Sequence, residues 1–182
     1  YTLAEGVGKE VDPTTLTAQE ILAKVKAAGI VGLGGAGFPT HVKLAPKDPT
    51  AIKYVIANGA ECEPYITCDD QLMRNYADEI VGGLKIMLQL FPNAEGVVLI
   101  EENKPEAIAA VQKVCSNENN IHVHPVHVKY PQGGERAIMD VVAGKHIKLG
   151  MLPADVRCVV DNVATVRSIY RCLLYTSPSP RD

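Results

Sequence analysis

Gly32, Gly34, Gly35 and Gly37 fall in the segment GLGGAGFPTHVK, residues 32–43, and satisfy the spacing G-x-G-x-x-G. Backbone without side chains can approach a phosphate closely, and its N–H groups can point at the anion. Lys43 would add a fixed positive charge. The usual dinucleotide-binding form of this pattern follows a strand and opens a long helix. Here a helical pattern comes before it and Pro39 follows closely, which disfavours the ordinary dinucleotide fingerprint. A phosphate-binding loop and a tight structural loop both remain open.

Two further segments are dense in polar groups. In NGAECEPYITCDD, residues 58–70, Asn58 could hydrogen-bond a ring or a ribose, and Glu61 and Glu63 could accept from hydroxyls or an amide. The same segment could instead be a solvated turn that caps a helix through Asp69 and Asp70, whose charges suit a helix N-terminus. Both can hold together. In YPQGGER, residues 130–136, Gly133 and Gly134 precede Glu135 at a loop-to-helix junction, either an anion or ribose site or a plain helix start. Cys62 and Cys68 are six residues apart and lack further ligands, which argues against a metal site. His122, His124 and His127 cluster in one alternating run, and the exposed side of an edge strand explains them more simply than a metal does.

The positioning elements follow from periodicity. Thr17 and Glu20 form a capping box ahead of a helix over 18–28 that ends at Gly29. Strands are expected at 52–57, 96–100, 121–128 and 156–160. Helices are expected at 69–90, 105–114 and 135–143, with another beginning at 164–170. Strands alternating with helices imply an α/β fold: a Rossmann-like, mostly parallel sheet with helices on both faces. Sites in such sheets lie beyond the carboxyl ends of the strands. Three polar clusters fall there, at 58–63, 101–104 and 161–165.

Composition excludes several classes. Net charge is −3, so no basic field suggests nucleic acid or an anionic membrane as the main partner. Trp is absent and Phe occurs twice, which disfavours a base-stacking surface. The apolar runs are short and interrupted, so no direct membrane span is expected. Five cysteines without a CxxC pair suggest neither a disulfide framework nor a self-contained iron–sulfur site, and a reducing compartment fits best. The ends differ from the middle. Residues 1–16 read as a remnant of an upstream domain or linker, and residues 171–182 as a non-native tail. CLLYTSPSPRD resembles a translated sequencing-adapter remnant, and a Ser/Pro-rich linker is the other reading. The chain begins with Tyr and is expected to be a fragment.

Taken in order, GIVGLGGAGFPTHVKL, VIANGAECEPYITCDDQLM, EENKPEAIAAV, YPQGGERAIMDVVAGKHIKLGMLPADV and VDNVATVRSIY resemble the C subunit of the Rnf electron-transport complex. More distantly they resemble the flavin-bearing 51 kDa subunit of respiratory complex I. The resemblance covers about residues 17–170 in one register. It implies an FMN- and NADH-binding domain of an ion-translocating ferredoxin:NAD oxidoreductase. Such a domain takes hydride from NADH to FMN and passes electrons to 4Fe–4S clusters. Runs of C-x-x-C-x-x-C-x-x-x-C-P that hold those clusters are absent here, so they would belong to the full-length protein alone.

By motif, Gly32, Gly34, Gly35 and Gly37 are implied to lie against flavin and nucleotide, with Lys43 at the FMN phosphate and Phe38 beside the NADH. Asn58 and Glu61 match an N-x-x-E flavin contact. Tyr130, Gly133 and Glu135 match a Y-x-x-G-x-E pattern near flavin and nicotinamide. Gly134 stands where the complex I relative has the first of two glutamates. Asn162 and Thr165 match N-V-x-T, and Asp161 replaces a second Asn of that relative. No residue is implied as an acid–base catalyst and none as a metal ligand.

The implied setting is peripheral, at the cytoplasmic face of the cell membrane. The implied partners are NAD(H), the other Rnf subunits and, indirectly, ferredoxin. A soluble Rnf-C-like electron-transfer protein for an amino-acid reductase is a close variant. A non-catalytic docking domain is a different class.

Overall fold

A computed structural model of the chain describes residues 12–144 and 150–174. The expectations for residues 1–11 and 175–182 lie outside the described residues. The chain first makes a short 3-10 turn at Pro13–Thr15, closed by the Asp12 side chain. Helix α1 (Ala18–Ala27) then starts on the expected capping box: Thr17 Oγ1 accepts from the Glu20 amide and Glu20 accepts from the Thr17 amide. Gly29, at φ +65°, follows the helix in the left-handed region. A four-residue helical turn, α2 (Thr40–Lys43), ends the glycine segment.

The sheet and its helices then alternate. The order is β1 (Tyr54–Gly59), α3 (Cys68–Asn75), α4 (Ala77–Leu88), β2 (Glu95–Glu101), α5 (Pro105–Cys115), β3 (Ile121–Val126), α6 (Glu135–Ala143), β4 (Cys158–Asn162) and α7 (Val163–Leu174). The four strands are parallel and lie in the order β3-β2-β1-β4. Alternate side chains feed two cores. Val55, Ala57, Val98, Ile100 and Val159 pack with α1, α4, α5 and α7. Ile56, Val97, Leu99 and Val160 pack with Ile138 and Met139 of α6. Helices therefore cover both faces, with α6 alone among the described helices on the second. The right-handed crossover rule requires this split. The chain travels from β1 to β3 in one direction with its helices on one face. It must change faces to return past β1 to β4.

Several elements depart from their expected bounds. The single helix expected over 69–90 is two helices, broken at Tyr76 (φ −137°, ψ 38°). Asn75 turns its side-chain amide onto the Gln71 carbonyl at 2.7 Å, competing with the helix ladder. The Tyr76 ring lies 3.7 Å from the Arg167 guanidinium, which also bonds Glu79 at 2.6 Å. β4 starts two residues later than the apolar run, because Pro153–Val156 form a 3-10 turn and Arg157 is left-handed at φ +67°. That turn lets the Arg157 carbonyl accept from the Lys53 and Tyr54 amides at 2.8 and 3.2 Å, setting the start of β1. α7 continues through residues 171–174, and Leu173 is fully buried. No described helix is long and apolar enough to cross a membrane.

Candidate functional site

The strand order reverses between β1 and β4, and open α/β sheets form their ligand crevice at such a switch point. Asn58 and Asn162 are register partners at the carboxyl ends of these strands, with Ala57 and Asp161 one step below. Each Asn closes its own turn. Asn58 Oδ1 accepts from the Ala60 amide at 3.1 Å, and Asn162 Oδ1 accepts from the Ala164 amide at 2.8 Å. Their side-chain amides reach outward to other segments.

The glycine segment packs on the β4–α7 turn. An antiparallel bridge between Val31 and Pro39 closes it, reinforced by the Gly32 amide donating to the Phe38 carbonyl at 2.9 Å. The Leu33 amide donates to Thr165 Oγ1 at 2.9 Å, where Thr165 is fully buried. A Cβ on Gly34 would stand 3.2 Å from Asn162 Cβ, so this glycine is tight against β4. Gly35 and Gly37 take positive φ, +143° and +62°, and a Cβ there would meet open space. Their backbone is presented to solvent.

The two other loops meet over β1. Asn58 Nδ2 donates to the Gly133 carbonyl at 3.0 Å. A Cβ on Gly133 would lie 2.6 Å from the Ala60 carbonyl oxygen, so this close approach requires glycine. Asn162 Nδ2 donates to Asp69 Oδ2 at 2.7 Å, joining the β4 turn to the start of α3. Gly32, Gly34, Gly35, Gly37, Asn58, Gly133, Asn162 and Thr165 thus belong to one connected set of loops. Phe38 and Tyr130 stand exposed on those loops, at 47% and 73%.

Glu61 is largely buried and points at the α3 N-terminus. Its carboxylate accepts from the Asp69 amide at 2.9 Å, the Cys68 thiol at 3.1 Å and the Asp70 amide at 3.3 Å. Lys104 Nζ lies 3.7 Å from it and also donates to the Glu61 carbonyl at 3.0 Å and to buried Glu101 at 2.9 Å. Burial pushes the Glu61 carboxyl up, but those donors and the Lys104 charge hold it below its usual value. The helix-capping reading of residues 58–70 named Asp69 and Asp70; both lie in the first turn of α3, but the cap is Glu61, eight positions upstream of Asp69, which accepts from their amides. The bond to Glu61 pushes the Cys68 thiol up, and burial pushes Asp69 up. Glu61, Cys68 and Asp69 bring ligand atoms within 4.8 Å of one another, but the ammonium beside them opposes a cation there.

Lys43 reaches across to the end of β4. Its Nζ donates to the Val160 carbonyl at 2.7 Å and lies 3.3 Å from Asp161 and 3.4 Å from Glu135. Asp161 is 2% exposed, and apart from Lys43 neither carboxylate oxygen has a hydrogen-bond partner among the described residues. Burial raises its carboxyl to about 6, against the pull of Lys43. In the sequence Asp161 and Lys104 stand only as members of the strand-end clusters 161–165 and 101–104, Asp161 also as a departure from the complex I relative. A buried acid next to a strand-end asparagine leaves no local signal of its distant cation.

Known proteins resemble the chain over this same region. Residues 25–171 match the family described as the Nuo51 FMN-binding domain. The chain is 42% identical over 163 residues to the C subunit of the Na(+)-translocating ferredoxin:NAD(+) oxidoreductase complex of Acetobacterium woodii, covering 90% of this chain and 37% of that protein. It is 41% identical over 165 residues to the C subunit of the proton-translocating ferredoxin:NAD(+) oxidoreductase complex of Clostridium ljungdahlii, covering 91% and 36%. It is 39% identical over 167 residues to the C subunit of the ion-translocating oxidoreductase complex of Pasteurella multocida, covering 92% and 20%. The chain thus spans between 20% and 37% of the length of these relatives. Among solved structures, a chain of an NAD+-reducing [NiFe]-hydrogenase superposes with a TM-score of 0.72 at 24% identity, over 89% of this chain and 30% of that one. That likeness establishes the shared α/β fold.

Proposed function

The chain belongs to the Nuo51 FMN-binding domain family, and from that membership we propose that the crevice between β1 and β4 binds FMN and NADH. In this reading the chain serves an electron-transfer subunit of an ion-translocating ferredoxin:NAD oxidoreductase. The observation that carries the reading is convergence. The glycine loop, the loops after β1 and β3, and the β4–α7 turn are far apart in sequence and are cross-linked at one switch point.

The residues present suit the group. Gly35 and Gly37 leave bare backbone facing solvent, and Lys43 brings a cation to the end of β4. Gly133 and Gly34 allow close approaches, to the Ala60 carbonyl and to Asn162. FMN, when bound, supplies the conversion between two-electron and one-electron chemistry. The chain's own part is to bind, to orient and to exclude water. Gly32, Gly34, Gly35, Gly37 and Lys43 hold the phosphate. Asn58 and Asn162 present fixed polar groups at the strand ends, and Thr165 fixes the glycine loop through the Leu33 amide. Phe38 and Tyr130 offer exposed ring faces for stacking on planar rings. Glu61 acts one step back, holding the loop after β1 on α3, and Glu135 lies beside Lys43.

The iron–sulfur clusters that take the electrons onward would lie in the full-length protein. The partners would be the other subunits of an Rnf-type complex and, through them, ferredoxin. The setting would be peripheral, on the cytoplasmic face of the membrane. Purified chain mixed with FMN and then freed of unbound ligand should keep a flavin visible spectrum, and loss of the flavin would overturn the reading. Lys43→Ala should weaken FMN retention, and unchanged affinity would place the phosphate elsewhere.

A further inference from the structure

The contacts around Lys43 hold more negative charge than a phosphate site needs. One ammonium faces two carboxylates, Asp161 at 3.3 Å and Glu135 at 3.4 Å. The two are unequal competitors. Glu135 is half exposed at its side chain, 49%, so water screens it. Asp161 is sealed, and among the described residues Lys43 is the one donor in reach of its carboxylate. A buried carboxylate with no other donor leans on its one cation, and burial already favours its protonated form. The charged groups acting on it are Lys43 from α2 and Glu135 from α6. Elsewhere around β4, β1 presents uncharged Ala57 opposite it, Arg167 of α7 is engaged by Glu79, and Asp155 holds the Leu152 amide.

A phosphate that binds Lys43 brings a second anion to this pocket. With Asp161 ionised, the ammonium is already neutralised and the incoming anion meets a buried like charge. With Asp161 protonated, the ammonium is released to the ligand. Resting on the flavin reading above, we propose that Asp161 is a positioning residue that competes with the ligand's phosphate for Lys43, so that phosphate binding is coupled to uptake of one proton by Asp161.

The sign distinguishes this coupling from the ligand's own chemistry. A phosphate monoester gains its second charge near pH 6, which by itself would tighten binding to Lys43 as pH rises. The Asp161 coupling works the other way. If the bound phosphate raises the Asp161 pKa by about one unit, affinity falls about tenfold on going from below that window to above it. Riboflavin has no phosphate and should show no such fall.

The test is to titrate the full chain with FMN and with riboflavin by flavin fluorescence, from about pH 5 to about pH 8. The ratio of wild-type to Asp161→Asn affinity for FMN should fall about tenfold from the lower end to the upper, with riboflavin flat. Asp161→Asn itself should bind FMN more tightly with rising pH, and Glu135→Gln should leave most of the fall in place. A wild-type FMN affinity that rises with pH as steeply as that of Asp161→Asn overturns the proposal. So does an equal fall in wild type and Asp161→Asn. If FMN binds at no pH, the flavin reading itself fails, and the coupling with it.

Discussion

Glu61→Ala should destabilise the fold by about 3 kcal/mol at neutral pH, and the loss should shrink in acid. Losing a helix N-cap costs about 0.5–2 kcal/mol, and hydrogen bonds to a charged group contribute about 1.5–3 kcal/mol each. Glu61 accepts from two amides of the α3 first turn and from the Cys68 thiol, and it faces Lys104. Lys104 keeps Glu101 at 2.9 Å in the variant, so the terms do not add fully and about 3 kcal/mol is the reasonable sum. For a chain of this size that is a fall in Tm of about 6–12 °C.

The Glu61 carboxyl sits below its usual value in the folded state. Its contribution is therefore present above the unfolded pKa, near 4.3, and is lost as pH falls through the folded one. Urea unfolding of wild type and Glu61→Ala at about pH 7 and about pH 3 measures both effects. A difference below about 1 kcal/mol at neutral pH would refute the capping account. So would FMN loss with stability intact, since that pattern belongs to a direct flavin contact.

Other outcomes follow from the same geometry. Gly133→Ala places a Cβ 2.6 Å from the Ala60 carbonyl, between two backbones tied by Asn58, and should cost about 1–3 kcal/mol and weaken FMN binding. Gly37→Ala meets open space at φ +62°, so backbone strain of about 1 kcal/mol is its whole expected cost in the same unfolding assay. Asp161 is raised from 3.8 to about 6, so the folded state binds its proton more tightly and stability falls as pH rises between those values. Asp161→Asn should therefore be more stable than wild type by up to about 3 kcal/mol at pH 8 and equal to it near pH 4, as read by denaturant midpoints.

Much of this was legible in the residues because the signals are local. The Thr17–Glu20 box, Gly29 after α1 and the α6 span over Glu135–Ala143 each depend on neighbours within a turn or two. The alternation of strands and helices was enough for a parallel α/β sheet, and the polar clusters at 58–63 and 161–165 lie at the ends of the two strands that flank the switch point. What stayed hidden depends on partners far away in sequence. Lys43 meets Glu135 and Val160, 92 and 117 positions on, and no periodicity announces that its charge is shared. The helix expected over 69–90 breaks at Tyr76, whose ring stacks on Arg167 of α7, a partner far along the chain. Glu61 sat within reach of two readings, and the fold places its carboxylate on the α3 amides.

The proposed site would bring NADH to a flavin bound in this crevice. The direct measurement is an anaerobic titration of the FMN-loaded chain with NADH, followed by the visible flavin absorbance. The account predicts bleaching that saturates at one NADH per bound FMN. A chain that holds FMN tightly and keeps its full colour under excess NADH would contradict it.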